Sequence, residues 1–560
     1  MTVRADPPSE AAPRTAIPRR PTSTATTRAG VGAVVASALT LFAMALVATG
    51  RGSPYQPILT PNGEPEGWLR DLARSVGIED VHGNASLALG VTATAAAVVA
   101  FLWLLRVARR GDVGLAPIAL IVVAAHVLIV FVPLLFSRDV YSYAYYGRIE
   151  GVYGANPYVE TPLDRSDDPL WTYVGPKWVD TPAVYGPAWT RLSSELAEVL
   201  PRAADHVEAY RWIAIGASLA ACAGIVVVVR GLRPDRTAYA LAAFGANPIV
   251  LFHSVASGHN DLLVALALVL AAGFLAARWH VAAVVALTLG ALVKATAALP
   301  LLLLIVWLVA GRPPGERWRA LVRATVPAVV VGLVFAVPYL QLDDPTRGMR
   351  ELASHEGWLA PSAVLGRLLD LLSFDTLGWV VRLVFGLLLV RAVVTLGKVV
   401  ARHASGDRAT VTTRTLPGDD RRDRIERANV DEVIALWGWS LVLLALLGPV
   451  LLPWYVVWAL PLVWILPREP RVALLATSAL LAVTLWSAEP LRFPGAFDLN
   501  LFVGRWIVTP VLLILALRAL RDVRRRADLG LAFADRRSAA GPAGGPSHGE
   551  ERVPASAGDR

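Results

Sequence analysis

The stretch from Ser137 to Tyr158, SRDVYSYAYYGRIEGVYGANPY, sets two carboxylates, two arginines and six tyrosines within 22 residues. It follows an apolar run from Leu115 to Phe136, and of its carboxylates only Asp139 stands at the end of that run. A carboxylate there is partly desolvated and faces a cavity at membrane depth, where ionisable groups are functional candidates by default. Such a group suits general-base work on an alcohol. The plainer alternative is an interfacial charge paired with Arg138 or Arg148, which are otherwise candidates for substrate binding. Tyr141, Tyr143, Tyr145 and Tyr146 suit stacking on sugar rings, or an aromatic belt at the head-group level. Asn156-Pro157-Tyr158 and Tyr185-Gly186-Pro187 read as turns first and as walls of a site second.

A second polar group, Ser257-Gly258-His259-Asn260-Asp261, interrupts a later apolar region. His259, Asn260 and Asp261 together can line a polar pocket, and a helix start would need only one of them as a cap. Lys294, alone between two apolar stretches, suits holding a phosphate or snorkelling to water. Arg492 and Arg505 are weaker candidates for the same role. Trp454 and Tyr455, after Pro453, read as interfacial anchors. There is no P-loop, no metal-spaced Cys/His cluster and no dinucleotide fingerprint. Paired acids such as Asp167-Asp168 and Asp343-Asp344 leave a divalent metal open.

The elements that must carry these residues are membrane spans. The chain is 55% hydrophobic and 17% charged, with a mean hydropathy of +0.52. Repeated apolar runs of about 20 residues bounded by Arg and Pro predict an all-α polytopic protein of about 14 transmembrane helices. The net charge of +9 comes from arginines at run ends, so it marks orientation and not a nucleic-acid partner. With 14 spans, every basic cluster falls on one side, and both termini are then cytoplasmic. Residues 279–311 must form a hairpin of two short helices, because one long helix would put Arg278 and Arg312 on opposite faces. That hairpin places Lys294 at an outer turn, on the side of Asp139. Outer segments are expected at 50–83, 137–208, 341–376 and 488–502. A disordered cytoplasmic tail (1–30), a charged cytoplasmic linker (401–430) and a basic, disordered tail (523–560) flank or interrupt the membrane domain 31–522. The lone Cys222 is a small apolar residue in a span.

Ser137-Arg138-Asp139-Val140-Tyr141-Ser142-Tyr143, Gly147-Arg148, Asn156-Pro157-Tyr158, Tyr185-Gly186-Pro187 and His259-Asn260-Asp261, in that order, resemble the polyprenol-phosphate-mannose-dependent α-(1→6)-mannosyltransferases of actinobacteria, which are GT-C glycosyltransferases. The likeness runs from about residue 80 to 520. It implies a GT-C-like plasma-membrane enzyme that takes mannose from polyprenyl-phosphate-mannose at the outer face. It implies extension of an α-(1→6) mannan on a glycolipid such as lipomannan, among membrane lipids and without a cofactor. It also implies an acidic catalytic base in an early outer loop, a position that Asp139 matches. Asp139 follows the third expected span where the simplest GT-C plan has the first, so Asp71, Glu79 and Asp80 are alternatives. The leaving phosphate needs no general acid but does need a cation, which Lys294 or an arginine would supply. Another lipid-linked sugar such as arabinose fits the same residues. The rival class is a secondary transporter, which shares the layout, but transporters show repeats and midplane polar sites. Here no repeat is visible and the polar residues gather at outer span ends.

Overall fold

A computed structural model describes residues 26–57, 67–340, 347, 351, 359–372, 377–404, 418–484 and 493–528. Most of the two expected tails, the linker core 405–417, most of the expected outer segment 341–376, Arg492 and Asp343-Asp344 lie outside the described residues. The described chain is all-helical, with no strand among those residues.

The first helices form one side of the bundle: α1 (Arg28–Thr49), the short α2 (Trp68–Ser75), α3 (Gly83–Arg110) and α4 (Leu115–Ile129). The side chain of Thr27 caps α1 by accepting from Gly30 N at 3.1 Å. Next come α5 (Asp139–Gly151), α6 (Pro187–Val199), α7 (Ala203–Leu232) and α8 (Thr237–Gly245), the last continued at an angle by a π-helical segment, Ile249–Val255. Then follow α9 (Asp261–Ala276), α10 (His280–Val293), α11 (Ala298–Ala310) and α12 (Arg317–Ala336). The C-terminal part holds α13 (Pro361–Leu371), α14 (Gly378–Ala404), α15 (Gly418–Leu447), α16 (Arg468–Val483), α17 (Pro494–Val503) and α18 (Thr509–Asp528).

Among the described residues, seven helices are long and apolar enough to cross a bilayer, or eight when α8 and its bent continuation count as one. Four more are apolar but only 13 to 16 residues in the case of α4, α9, α10 and α11. At about 1.5 Å per residue they reach roughly 20–24 Å, short of the ~30 Å hydrocarbon layer. These helices stop short where they meet polar residues. α9 starts at Asp261, and Lys294 separates α10 from α11 in an extended conformation. His280, at the start of α10, meets the Trp307 ring near the end of α11 at 5.9 Å. Residues 279–311 are therefore a hairpin with Lys294 at its apex.

The run expected to span around Trp458 is instead two 3₁₀ turns, Pro453–Trp458 and Leu460–Leu462. Pro449, Pro453, Pro461 and Pro467 explain the difference, since each removes an amide donor and clashes with a helical carbonyl.

Two apolar cores follow. The larger joins most of the spanning helices. The smaller is built by the stretch between α4 and the start of α7, around Tyr141, Tyr143, Tyr145, Tyr146, Ile149, Trp189 and Tyr210. The α5 tyrosines are thus buried core, and not a belt facing lipid. α5 approaches α6 so closely that a Cβ on Gly147 would lie 2.1 Å from the Ser193 carbonyl oxygen.

Candidate active site

Asp139 opens α5, and the turn before it aims the side chain. Phe136 has φ 56°, a left-handed conformation that a phenylalanine rarely adopts. It is held there by a stack on His253 at 4.0 Å and by its amide donating to the Tyr55 carbonyl at 2.7 Å. The Ser137 hydroxyl then accepts from the Asp139 amide at 3.1 Å. About a fifth of the Asp139 side chain is exposed (21%), and it faces a cavity of about 190 Å³.

His259 comes from the turn between the bent α8 segment and α9. Gly258 just before it has φ +66°, and a Cβ there would meet Val140 at 2.8 Å, so glycine is required both for the turn and for contact with α5. His259 Nδ1 lies 3.6 Å from Asp139 Oδ2 and 3.9 Å from Asp261 Oδ2. The Tyr143 hydroxyl lies 3.3 Å from the same nitrogen and 3.5 Å from Asn260 Oδ1. Burial and the nearby Lys294 charge hold the His259 pKa well below its usual range, so the ring is neutral.

Lys294 reaches back to Asp261 with Nζ at 2.8 and 3.0 Å from the two carboxylate oxygens. Trp458 Nε1 donates to the same carboxylate, and the Lys294 ammonium sits over the rings of Tyr455 and Trp458 at 4.9 and 5.5 Å. Trp454 stacks on His259 at 4.0 Å. Tyr185 joins the group because the Gly186 amide donates to the Val293 carbonyl at 3.0 Å. A Cβ on Gly186 would lie 2.1 Å from the Leu292 carbonyl oxygen, so only glycine allows this approach. Asp139, Tyr185, Lys294, Tyr455 and Trp458 all line the cavity, and Leu444, Val450 and Leu452 give it an apolar flank.

Burial pushes the Asp139 pKa up to about 6, with Asp261 adding to the rise while Lys294 and Ser137 oppose it. The carboxylate is thus a stronger base than an exposed aspartate and still largely ionised at neutral pH.

Of the residues singled out from sequence, the structure brings together Asp139, Tyr143, Tyr185, His259, Asn260, Asp261 and Lys294. It places others in the scaffold. Arg148 binds Asp168 at 2.7 Å, and the Tyr153 hydroxyl donates to the same carboxylate. Asn156 donates to the Tyr339 carbonyl and accepts from the Tyr158 amide. The Tyr158 hydroxyl donates to the Tyr185 carbonyl. Arg138 precedes α5, beside Tyr141, and Arg505 lies in a π-helical segment, Gly504–Val508. Glu79 is held by Arg70 and Arg74, and exposed Asp71 pairs with Arg74.

Trp454, Tyr455 and Trp458 are the residues that sequence reasoning missed. They were assigned to the membrane interface or to a span. The signal was present in Pro453 followed by rings at 454, 455 and 458, a pattern that breaks a helix while clustering aromatics.

A helical membrane protein whose spans are cut short around a desolvated carboxylate, a lysine and stacked aromatic rings has the makings of a transferase acting on a membrane-bound substrate. Residues 28–311 match the family described as alpha-(1->6)-mannopyranosyltransferase, N-terminal domain, and the chain belongs to that family of hexosyl-transferring enzymes. It is 25% identical over 406 residues to alpha-(1->6)-mannopyranosyltransferase A of Mycobacterium tuberculosis, covering 68% of this chain and 70% of that protein. No solved structure matches it.

Proposed function

We propose that the protein is an inverting GT-C-type glycosyltransferase that moves mannose from polyprenyl-phosphate-mannose to a growing α-(1→6) mannan of the lipomannan kind. In this reading it works at the outer face of the plasma membrane, crosses it about 14 times when the short and broken helices are counted, and keeps both termini cytoplasmic. The observation that carries the reading is Asp139, a carboxylate with its pKa raised to about 6 and facing a cavity it shares with Lys294.

Asp139 takes the proton of the acceptor hydroxyl as that oxygen attacks the anomeric carbon. The lipid phosphate leaves from the opposite side, so a β-linked donor gives an α-linked product. Lys294 faces the developing phosphate charge and shares its ammonium between the phosphate and Asp261. Asp261 and Trp458 hold Lys294 in place. Neutral His259, fixed by Trp454 and Tyr143, keeps its Nδ1 beside Asp139 without cancelling the charge. The apolar flank at Leu444, Val450 and Leu452 is suited to the first prenyl units of the donor. The chain's own groups suffice for these steps, with no cofactor invoked.

The test is transfer of label from polyprenyl-phosphate-[¹⁴C]mannose to a short α-(1→6) mannoside by the purified protein. The reading expects an α-linked product, and absence of transfer with intact donor binding contradicts it. Orientation is tested separately with an impermeant thiol reagent. Glu198→Cys should label in intact cells and Gly315→Cys only after lysis, and the reverse pattern overturns the outer-face site. Native Cys222 is buried and does not confuse the readout.

A further inference from the structure

At the end of α10 remote from Lys294 lies a second cavity, of about 450 Å³, between α10, α11 and α12. We propose that it binds the head group of an anionic phospholipid. With 14 residues in α10, it stands about 20 Å from the Asp139 cavity, so it is a separate site.

Its charged lining is Arg312, Arg319, Arg323 and Glu316. Three guanidiniums against one carboxylate leave a formal charge of +2. Among the described residues none of the three arginines has a carboxylate within ion-pair distance, whereas arginines near other carboxylates, such as Arg148 with Asp168, are paired. Arg319 and Arg323 are four residues apart on α12, so they project from one face. Ala320 and Ala324, one position round the helix from them, line the same cavity, and their small side chains leave its space open.

The surroundings specify a lipid over a soluble anion. Trp279 and Trp318, next in sequence to the lining residues His280 and Arg319, are 64% and 71% exposed. Exposed tryptophans of this kind mark the head-group level of a bilayer. The apolar window of the α12 span is only 6% buried within the protein, so in a bilayer most of that helix is left open to acyl chains. Val281, Val284 and Leu308 give the same cavity an apolar side beside the arginines. Guanidiniums and an apolar side in one cleft suit a ligand that carries both a charged head and acyl chains. The net +2 favours one with phosphate charge in excess over a zwitterion. In the orientation proposed above this end is cytoplasmic, where anionic lipid attracts basic groups.

The test uses the full-length protein in phosphatidylcholine nanodiscs titrated with tetraoleoyl diphosphatidylglycerol, with retained lipid counted by native mass spectrometry. Each removed arginine should weaken binding about fivefold, so Arg319→Gln with Arg323→Gln should weaken it on the order of 25-fold. Glu316→Gln should act in the opposite direction and tighten it. Neither phosphatidylcholine nor inorganic diphosphate at equal concentration should displace the lipid. These arginines are exposed and unpaired, so the variants should fold, and an unchanged melting temperature confirms it. Binding by the double variant within twofold of wild type, weaker binding by Glu316→Gln, or equal competition by inorganic diphosphate would each overturn the proposal. Mannose transfer is read independently, so neither result depends on the other.

Discussion

The two ends of α10 use charge in opposite ways. At the Lys294 end the groups around the reacting carboxylate are tied down: the ammonium lies on Asp261, Trp458 donates to that carboxylate, and His259 is stacked and neutral beside Asp139. At the His280 end three arginines stand exposed beside Glu316, none of them within ion-pair distance of a carboxylate among the described residues. The first arrangement holds groups in fixed positions before substrate arrives, which is where electrostatic catalysis gains most. The second leaves charge unspent for a mobile anion and is screened by salt. One helix thus joins a rigid interior site to a surface one, and substitutions at the two ends should differ in kind.

The largest effect should fall on Asp139. Asp139→Asn keeps size and hydrogen bonding but loses the base, and turnover should drop by roughly 10²–10⁴-fold with donor binding retained. Next is the buried pair. Asp261→Asn leaves the Lys294 ammonium without its carboxylate, and thermal unfolding should report a loss of about 3–5 kcal/mol. Adding Lys294→Met to it should recover most of that stability but not transfer. Recovery of transfer as well would reduce the pair to scaffold. Smaller still is Gly186→Ala, where the new methyl must push the Tyr185 turn off α10. A cost of about 1–3 kcal/mol is expected, with slower transfer because Tyr185 moves away from Lys294. Wild-type rate in that variant would show that the wall need not be held closely.

The same contrast shows what the sequence could reveal. Asp139, Asp261 and Lys294 were legible because a charge at the end of an apolar run is costly and must have a reason. The 279–311 hairpin was legible from Arg278 and Arg312 alone. Arg148, Asn156 and Tyr158 looked like site residues because they belong to a polar stretch after an apolar run, yet their partners, Asp168, Tyr339 and Tyr185, are set by tertiary packing. Trp454, Tyr455 and Trp458 were hidden for the converse reason. A ring at a span end has a bland explanation, and only the fold shows that these rings reach His259, Asp261 and Lys294. The α5 tyrosines were hidden likewise, since an outer belt and a second buried core have the same composition.

The central claim, that ionised Asp139 is the base, predicts two opposed pH trends. Burial raises its folded pKa to about 6 from the ordinary carboxylate value of about 4, so folding favours the protonated form. Its contribution to stability therefore falls as pH rises from about 4 through 6, and Asp139→Asn should be the more stable protein above pH 6, by roughly 1–3 kcal/mol. Activity should run the other way. The decisive measurement is the initial rate of mannose transfer from pH 5 to 8 for wild type and Asp139→Asn, with donor affinity determined on the same preparations. The account predicts a wild-type rate that climbs through about pH 6 to a plateau, and a variant that is low and flat while still binding donor. A folded Asp139→Asn protein transferring at the wild-type rate, or a wild-type rate unchanged across that range, would contradict it.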